Sequence, residues 1–314
     1  MLKITSPRNT IVLPDGKSLG ETTLKVFTDA NMPVKRSHPR DDLARIIGCP
    51  GFSLVVFARA DQVAWLVQQG YMAAGITGFD QVIEGAADVK ICTQLSYSRV
   101  TNGGISCVVF THDSYPVRTL AQLREECERE AITIETEYER ETGEFLESKG
   151  IKARVRKCTG KAEMLVRIGV AQFGATISET GTSLEKNGCR PLRDEMNERI
   201  ATVFESSTVL IANKEMYKAD PEFRAHVDFL GRLLQGVLDA RGNVYLAMNA
   251  PAEKVSAICD VLPALKKPTV QPLADLAFCS VASVVPIDQL NLLKMKLIEL
   301  GATGIIESDL KSVM

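Results

Sequence analysis

The sequence has few of the residues that would mark a metal or redox protein. It contains 3 histidines and 8 cysteines in 314 residues, and no two cysteines have the CxxC spacing of zinc or thioredoxin-like sites. The cysteines are therefore expected to be reduced and mostly buried. His38, His112 and His226 are far apart in the chain, so a catalytic Cys–His pair would have to form in space.

Long apolar runs and an excess of charge are also lacking. No apolar run approaches the roughly 20 residues of a membrane span, and the N-terminal MLKITSPRNTIVLPDG lacks the apolar core of a secretory signal. We therefore predict a cytoplasmic protein without a membrane partner. The formal net charge is -2, which argues against a nucleic-acid partner. An anionic ligand would need a local basic site instead.

Strand-like and helix-like segments alternate from the N-terminus onward. FSLVVFA is a continuous apolar run typical of a strand buried on both faces. RADQVAWLVQQG follows, with Val63, Leu66 and Val67 on one helical face. This order predicts an α/β fold with a mainly parallel sheet. A second α/β unit starts near Ser106 and STVLIANKEM is a return strand, so we expect two lobes with a ligand cleft between them.

The order of elements changes in the last third of the chain. NVYLAMNAP, AEKVSAICDVLPAL, TVQPLA, CSVASVVP, IDQLNLLKMKLIELG and ATGIIESDL give a βαββαβ pattern, which is typical of a small ferredoxin-like module. We therefore expect catalytic lobe I at residues 1–105 and about 200–225, lobe II at 106–199, and a separate C-terminal domain at 226–314.

The hydroxyl-rich stretch ISETGTSLEKNG, residues 177–188, is a candidate phosphate loop. A turn of small residues lets successive backbone N–H groups converge on an anion. Thr182 and Glu185 have the spacing of a capping box, and Asn187-Gly188 would end the following helix. A purely structural polar turn also explains the stretch, which lacks the glycine pattern of a dinucleotide fold.

Polar residues also follow three strands of the first lobe. In LPDGKSL, Gly16-Lys17-Ser18 is similar to the end of a Walker loop, but position 11 is isoleucine, so the motif is absent. Lys17 either faces a diphosphate or simply follows a turn. Arg59 ends FSLVVFAR, where a ligand cleft is expected. Thr77 and Asp80 of ITGFDQVIEG suit either ligand binding or helix capping.

Two charged stretches are expected on the surface. Strand alternation puts Arg154 and Arg156 of RVRK on one solvated face. The acidic stretch ETEYERETGEFLE, which starts at Glu135, has no standard metal-site spacing. It is typical of an exposed helix start, which favours acidic residues.

These stretches, in this order, resemble long-form ATP phosphoribosyltransferase over nearly the whole chain. GVLDARGNVYLAMNAP, LPALKKPTVQPL, VASVVP and LGATGIIESDL are similar to its regulatory domain. FARADQVAWLVQQG, GITGFDQV, CTGKAEMLVRIGVA and SETGTSLEKNG are similar to its catalytic segments. The resemblance implies a two-lobed, type II periplasmic-binding-protein-like catalytic region. It also implies that 226–314 is a ferredoxin-like (ACT-like) regulatory domain.

The resemblance also implies a reaction. N1 of ATP attacks the anomeric carbon of phosphoribosyl diphosphate and diphosphate leaves, in the first step of histidine biosynthesis. Mg²⁺ would chelate the diphosphate and stabilise the leaving charge, and the protein would act by positioning and electrostatics. Histidine would be a feedback inhibitor, and the assembly would be a homo-oligomer, either a dimer or a hexamer.

The resemblance and the residue patterns above together give the candidate site residues. The catalytic residues would be Glu163, Arg59 and Lys17. The substrate-binding residues would be Thr176, Glu179, Thr180, Gly181, Thr182, Ser183, Leu184, Thr77 and Asp80. The allosteric histidine would be held by Asn249, Leu265, Thr269, Val284 and Gly304.

Several positions depart from the family pattern. Thr176 stands where the family has an aspartate near the ribose hydroxyls, and a threonine can hydrogen-bond there but supplies no charge. Ala73 replaces another aspartate, and Tyr138-Glu139 replaces Tyr-Pro. Two alternatives therefore stay open: a diverged phosphoribosyltransferase with another acceptor, and a non-catalytic ligand-binding or regulatory homologue.

Overall fold

The computed structural model describes residues 6–16, 19–95, 97, 105–178, 181–263 and 267–314. The chain divides into two compact units, Met1–Lys25 with Val34–Gly231, and Val26–Pro33 with Arg232–Met314. The second unit takes in an early segment, Val26–Pro33, that the sequence did not indicate.

The first unit begins with lobe I, which is built on a seven-stranded sheet. In chain order its first elements are β1 (Thr10–Pro14), α1 (Leu19–Asp29), β2 (Val34–Arg36), β3 (Leu43–Ile46), β4 (Leu54–Ala58), α2 (Ala60–Gln68), β5 (Ala74–Gly78), α3 (Phe79–Glu84) and β6 (Lys90–Leu95). A single 3-10 turn, Pro7–Asn9, precedes β1.

The chain then forms lobe II on a second sheet. Its elements are β7 (Ile105–His112), α4 (Leu120–Arg129), β8 (Thr133–Thr136), α5 (Glu139–Ser148), β9 (Arg154–Lys157), α6 (Ala162–Arg167), β10 (Phe173–Ser178), α7 (Thr182–Lys186), β11 (Cys189–Pro191) and β12 (Thr202–Ser206). The chain returns to lobe I with β13 (Thr208–Ala212), α8 (Lys214–Ala219) and α9 (Pro221–Arg241).

The sheet of lobe I has the order β2-β3-β4-β1-β5-β13-β6. Its centre is parallel, because β1 pairs in parallel with both β4 and β5. The prediction of a mainly parallel sheet is nevertheless wrong, since β2, β3 and β13 all run antiparallel to their neighbours. The links of β2 to β3 and of β3 to β4 are too short for a crossover helix, and β13 enters the sheet from lobe II.

Close packing at the centre of lobe I depends on one glycine. The side chains of Val12 on β1 and of Val63 and Val67 on α2 are fully buried. A Cβ at Gly75 would lie 2.8 Å from side-chain carbons of both Val12 and Val63. The sequence AGITG therefore lets α2 lie directly on β1 and β5, which fixes the ends of these strands relative to the start of α2.

The sheet of lobe II has the order β11-β7-β10-β8-β9, and β12 also pairs with β7. The long strand β7 accommodates two partners on one edge: β11 pairs with its last residues and β12 with its first. One core cluster includes Leu120, Leu123, Ile134 and Phe173. A smaller cluster, with Phe110, Val166 and Leu184, anchors α6 and α7. The predicted two-lobed α/β architecture is confirmed.

The second unit contains the predicted ferredoxin-like module. After the end of α9 it consists of β14 (Asn243–Pro251), α10 (Val255–Val261), β15 (Thr269–Pro272), β16 (Phe278–Pro286), α11 (Leu290–Glu299) and β17 (Thr303–Asp309). Short 3-10 turns, Ala252–Lys254 and Ile287–Gln289, lead into α10 and α11. The sheet is antiparallel with the order β15-β16-β14-β17, so the βαββαβ prediction is confirmed.

Candidate active site

In lobe I, three stretches singled out from the sequence meet where parallel strands end. Pro14 at the end of β1 is level with Ala58 at the end of β4. The backbone N–H of Asp15 donates to the carbonyl of Ala58 at 2.7 Å, which places the turn after β1 beside Arg59. Gly16 has φ +108°, a conformation that favours glycine. Lys17 itself lies outside the described residues.

Arg59 is the most accessible of these residues. It immediately precedes α2, and its side chain is 79% exposed. Its Nε lies 3.3 Å from Oδ1 of Asp61, which is itself exposed. Because such a surface pair contributes little free energy, the guanidinium is available to an anionic ligand at this strand end.

Thr77 and Asp80 are held by protein groups. The hydroxyl of Thr77, which is fully buried, donates to the carbonyl of Ala60 at 2.8 Å. Asp80 is only 3% exposed, and its carboxylate accepts hydrogen bonds from the side chains of Gln81, Tyr138 and Ser206. The structure shows these hydrogen bonds to protein groups. Direct contacts of Thr77 and Asp80 with a substrate stay a prediction.

In lobe II, the candidate phosphate loop follows β10. Gly181 has φ +75°, and its N–H donates to the hydroxyl of Ser178 at 3.0 Å. Leu184 is 2% exposed and anchors α7 in the lobe II core. Glu179 and Thr180 lie outside the described residues. The described part of the loop is thus a glycine-dependent turn attached to the core at both ends.

The loop is joined to the helix that carries Glu163. The hydroxyl of Ser183 donates to Oε1 of Glu163 at 2.9 Å, and Glu163 lies in the first turn of α6. Two motifs 20 residues apart in sequence are therefore in direct contact. The capping-box interpretation of Thr182 is wrong, because Gly181 is the residue that precedes α7 and Thr182 is already helical. The helix ends at Lys186, before Asn187-Gly188, as predicted.

Thr176 lies on β10, two residues before Ser178, so both side chains project from the same side of the strand. It pairs with Val108 of β7 and is partly buried. This position, where the resemblance implies an aspartate, is therefore on the strand leading directly into the loop, and here it carries a hydroxyl group.

A cleft of about 600 Å³ adjoins the loop. It is lined by Ser106, Val108, Asp113, Ser178, Gly181, Leu184, Glu185, Cys189, Arg190, Pro191, Ile200 and Thr202. Its volume is within the range of small-molecule sites. The predicted loop residues thus line a cavity large enough for a substrate.

Arg190 is a residue of this cleft that sequence reasoning missed. Its guanidinium donates to the carbonyls of His112, Tyr115 and Val117 at 2.8, 2.6 and 2.9 Å. These contacts hold the segment between β7 and α4. No local pattern marks Arg190, because its partners are more than 70 residues earlier in the chain.

The cysteine of the cleft is not an activated nucleophile. Cys189 is the register partner of His112 on the neighbouring strand, which is the kind of spatial pairing that the sequence left open. However, its Sγ contacts the carbonyls of Glu163 and Asn187. Burial, helped by the charges of Asp113 and Glu163, raises the pKa of the Cys189 thiol to about 11. The thiol is therefore protonated at neutral pH.

The surface assignment of Glu135 is wrong, whereas Arg156 is exposed as predicted. Glu135 lies on β8 rather than at a helix start, and its side chain is 2% exposed. Arg156, on the neighbouring strand β9, forms an ion pair with it. A buried carboxylate requires such a partner, so Arg156 is not simply solvated.

In the second unit, the predicted histidine-binding residues lie on one face of the sheet. Alternation along β14 buries Leu246 and Met248 and directs Asn249 to the opposite face. Register pairing places Thr269 beside Ala282 and Val284 beside Tyr245, on this same face. A Cβ at Gly304 would lie 3.4 Å from Nδ2 of Asn249. Leu265 lies outside the described residues.

The described residues contain no group of three or more His, Cys, Asp or Glu side chains arranged to hold a metal ion. Among the described residues, no helix has the length and apolar character needed to cross a bilayer.

Comparison with known proteins identifies the family. The profile of the ATP phosphoribosyltransferase family matches residues 59–236, and that of the HisG C-terminal domain matches residues 240–312. The ATP phosphoribosyltransferase of Nitratidesulfovibrio vulgaris is 33% identical over 100% of this chain and 98% of its own length. That of Pelotomaculum thermopropionicum is 34% identical over 83% of this chain and 84% of its own.

A solved structure agrees at the level of the fold. The ATP phosphoribosyl transferase (HisG:HisZ) complex from Thermotoga maritima aligns with a TM-score of 0.55 and 18% identity, covering 73% of this chain and 98% of that one. The predicted enzyme class, a phosphoribosyl transferase of histidine biosynthesis, is confirmed by the family matches. The chain belongs to the ATP phosphoribosyltransferase family.

Proposed function

We propose that this chain transfers the phosphoribosyl group of phosphoribosyl diphosphate to N1 of ATP, with release of diphosphate. In this step the bond from the anomeric carbon to the diphosphate oxygen breaks and a bond to N1 of adenine forms. The observation that carries the proposal is the Ser183–Glu163 hydrogen bond of 2.9 Å. In a chain that belongs to this family, it joins the candidate phosphate loop to α6, the helix that carries Glu163.

The loop of lobe II is proposed to hold the 5′-phosphate. Gly181 has the left-handed conformation that turns neighbouring N–H groups toward one point. Because the Ser183 hydroxyl proton is donated to Glu163, these backbone N–H groups are the proposed donors to the phosphate. Glu163 orients the Ser183 hydroxyl and supplies negative charge at the side of the ribose, where positive charge develops during transfer. Thr176, on the strand leading to the loop, offers a hydroxyl to the ribose.

The strand ends of lobe I are proposed to hold the diphosphate. Arg59 is exposed there, and Lys17 follows the turn that lies beside it. Magnesium is proposed to arrive on the diphosphate oxygens and to neutralise the leaving charge. We treat the ion as part of the bound substrate, because Mg²⁺ in such sites is held mainly by substrate phosphates, waters and one or two carboxylates.

The transfer is tested by incubating the full chain with Mg²⁺, ATP and phosphoribosyl diphosphate and separating the products. Phosphoribosyl-ATP and diphosphate are expected in equal amounts. Glu163→Gln should lower kcat by about two orders of magnitude, whereas Glu215→Gln, the same change in the first turn of α8, should not. Folded protein that makes no phosphoribosyl-ATP would overturn the proposal.

Thr176 supports one alternative, a phosphoribosyltransferase with another acceptor. Its hydroxyl stands where the family pattern has a charged group, on the strand that leads to the loop. Release of diphosphate with another purine nucleotide, but not with ATP, would establish this alternative. Calorimetric binding of phosphoribosyl diphosphate without turnover of any acceptor would instead indicate a non-catalytic homologue.

Feedback inhibition by histidine and assembly into a dimer or hexamer are also proposed, together with a cytoplasmic location. The alignment of Asn249, Thr269 and Val284 on one sheet face supports a common ligand site. Inhibition of the transfer by histidine, and molar mass from light scattering with and without histidine, test these points. Unchanged activity at saturating histidine would refute the regulatory proposal.

A further inference from the structure

Buried hydrogen bonds join α3 of lobe I to lobe II, and they suggest a role for a residue that the sequence assigned to substrate binding. We infer that Asp80 is a positioning residue. Together with Glu84, one turn later on α3, it holds lobe II against the strand ends of lobe I. This inference rests on the proposed transfer reaction, because it concerns the alignment of the two halves of that site.

The carboxylate of Asp80 binds two residues of lobe II. Its Oδ1 accepts from the hydroxyl of Ser206 at 2.8 Å, and its Oδ2 accepts from the hydroxyl of Tyr138 at 3.0 Å. The backbone N–H of Asp80 in turn donates to the Ser206 hydroxyl at 2.9 Å. Asp80, Tyr138 and Ser206 are 3%, 2% and 5% exposed. Water therefore competes poorly for these bonds, and their loss is costly.

The position of Ser206 makes this contact sensitive to lobe movement. Ser206 is the last residue of β12 in lobe II, and β13 of lobe I begins at Thr208. The neighbouring Ser207 accepts a hydrogen bond from the N–H of Phe79 at 2.8 Å. The start of α3 is thus fixed to the described segment in which the chain returns from lobe II to lobe I, and such a crossing is where a hinge would bend.

Glu84 makes a second contact of the same kind. Its two carboxylate oxygens accept from the N–H groups of Arg140 and Glu141, each at 3.1 Å. These groups belong to the first turn of α5, where N–H groups have no partner within the helix. Tyr138, the residue preceding α5, makes no side-chain cap. Lobe I therefore supplies the cap for a helix of lobe II.

The two acidic residues act together because of helix geometry. Asp80 and Glu84 are four residues apart on α3 and so lie on one face of the helix. Both reach the same short segment of lobe II, residues 138–141. With only one of the two carboxylates, α5 could rotate about a single contact with α3. The two together fix both the distance between α3 and α5 and the orientation of α5.

The contact lies next to the proposed substrate groups on both sides. In lobe I, Asp80 follows β5, whose Thr77 is bonded to the residue after Arg59. In lobe II, the residue before Tyr138 is Glu137, which lies close to the turn that leads into α6. Its Oε1 is 3.4 Å from the position that a Cβ would take at Gly160, and Gly160 is three residues before Glu163. A shift at Tyr138 would therefore change the separation between the diphosphate-binding and phosphate-binding groups.

The decisive variant is Tyr138→Phe in the full chain. It removes the hydroxyl but keeps the ring, which packs edge-on against Phe204 at 5.1 Å. The matched control is Tyr115→Phe. Tyr115 also packs edge-on against a phenylalanine, Phe173, at 5.2 Å, and its hydroxyl donates to Glu126 and Glu130 at 3.3 and 3.2 Å within lobe II.

Tyr138→Phe is expected to lower kcat/KM for phosphoribosyl diphosphate by roughly tenfold, because small misalignments of reacting groups are costly. The control should stay within about twofold of the wild type at a comparable change in Tm. Asp80→Asn should also lower kcat/KM for phosphoribosyl diphosphate. Tyr138→Phe should lower kcat/KM by a smaller factor in the Asp80→Asn background than in the wild type, because both changes remove the same contact. If Asp80→Asn does not fold, Tyr138→Phe alone decides. Equal kinetic effects of the two tyrosine variants would overturn the inference.

Amide hydrogen exchange separates this inference from the proposed function. Exchange of residues 139–143 should be faster in Tyr138→Phe and in Glu84→Ala than in Tyr115→Phe, whether or not the chain turns over ATP. If the wild type makes no phosphoribosyl-ATP, the transfer proposal fails while the exchange pattern still reports the lobe contact. Unchanged exchange in both variants would refute that contact.

Discussion

The proposed phosphate loop leads to a quantitative prediction at Gly181. Its φ of +75° is a conformation that costs residues with a Cβ about 1–2 kcal/mol. Among the described residues other than its chain neighbours, the first atom that a Cβ there would meet is Oε1 of Glu185, at 4.0 Å. Gly181→Ala therefore introduces conformational strain without a steric clash with these residues, and the turn is expected to relax toward negative φ.

The chain offers a matched control for this strain. Gly150 follows α5 with φ +65°, and the nearest atom to its Cβ position, Nε of Arg124, is also 4.0 Å away. Gly150→Ala and Gly181→Ala should therefore lose similar stability, about 1–2 kcal/mol. This corresponds to a fall in Tm of a few degrees, roughly 2–4 °C per kcal/mol for a large domain.

The two variants should differ in binding. Relaxation at Gly181 turns an N–H away from the 5′-phosphate, and a hydrogen bond to a charged group is worth about 1.5–3 kcal/mol. The Kd for phosphoribosyl diphosphate should then rise roughly tenfold to a hundredfold in Gly181→Ala. Calorimetry of the Mg²⁺ complex measures this directly. Equal affinity in the two glycine variants would refute the assignment of the loop as a phosphate site.

Further predictions concern single charged groups. Arg59→Met should change the free energy of unfolding by less than about 0.5 kcal/mol, because the side chain is 79% exposed. It should nevertheless lower kcat/KM. If the loss of unfolding free energy equals the free-energy equivalent of the loss in kcat/KM, this would argue against a ligand role. Asn249→Asp should tighten histidine binding about tenfold by adding a charge for the ligand's ammonium, and unchanged affinity in calorimetry would contradict this. A hydrogen bond from Arg8 lowers the pKa of Asp220 to about 2 from 3.8. Because the pKa is lowered in the folded state, this pair contributes its full stability above pH 3.8 and loses it toward pH 2. The difference in free energy of unfolding between the wild type and Asp220→Asn should therefore become smaller over that range. A difference that does not change with pH would refute this prediction.

The predictable parts of the fold are those with strong local patterns. The helical spacing of Val63 and Val67 and the apolar run of β4 identify their elements without tertiary information. The sequence does not indicate β2 and β3, because VKR and LARI, at three and four residues, are too short to show a clear period. Their structure depends on pairing along the edge of β4, which is a non-local property.

The same division applies to the candidate site. The loop is indicated by its short, hydroxyl-rich sequence and Glu163 by the family resemblance, and the structure adds their contact through Ser183. The roles of Arg190 and Tyr138 were not found, since their partners are 73–78 and 58 residues away. Local sequence thus identifies groups that face a ligand more readily than the groups that position them.

Thr176 shows how the two kinds of residue combine in this chain. In the proposed site, the neutral hydroxyl of Thr176 gives the ribose directional hydrogen bonds but no charge to balance an oxocarbenium-like centre. That charge must then come from a carboxylate held close to the loop, and Glu163 is held there by Ser183. The fixed separation of the lobes through Asp80 matters more in such a site, because a charge acts on the transition state only at a defined distance. A loop that depends on Glu163 and on lobe alignment can therefore keep phosphoribosyl transfer while the family's aspartate is absent.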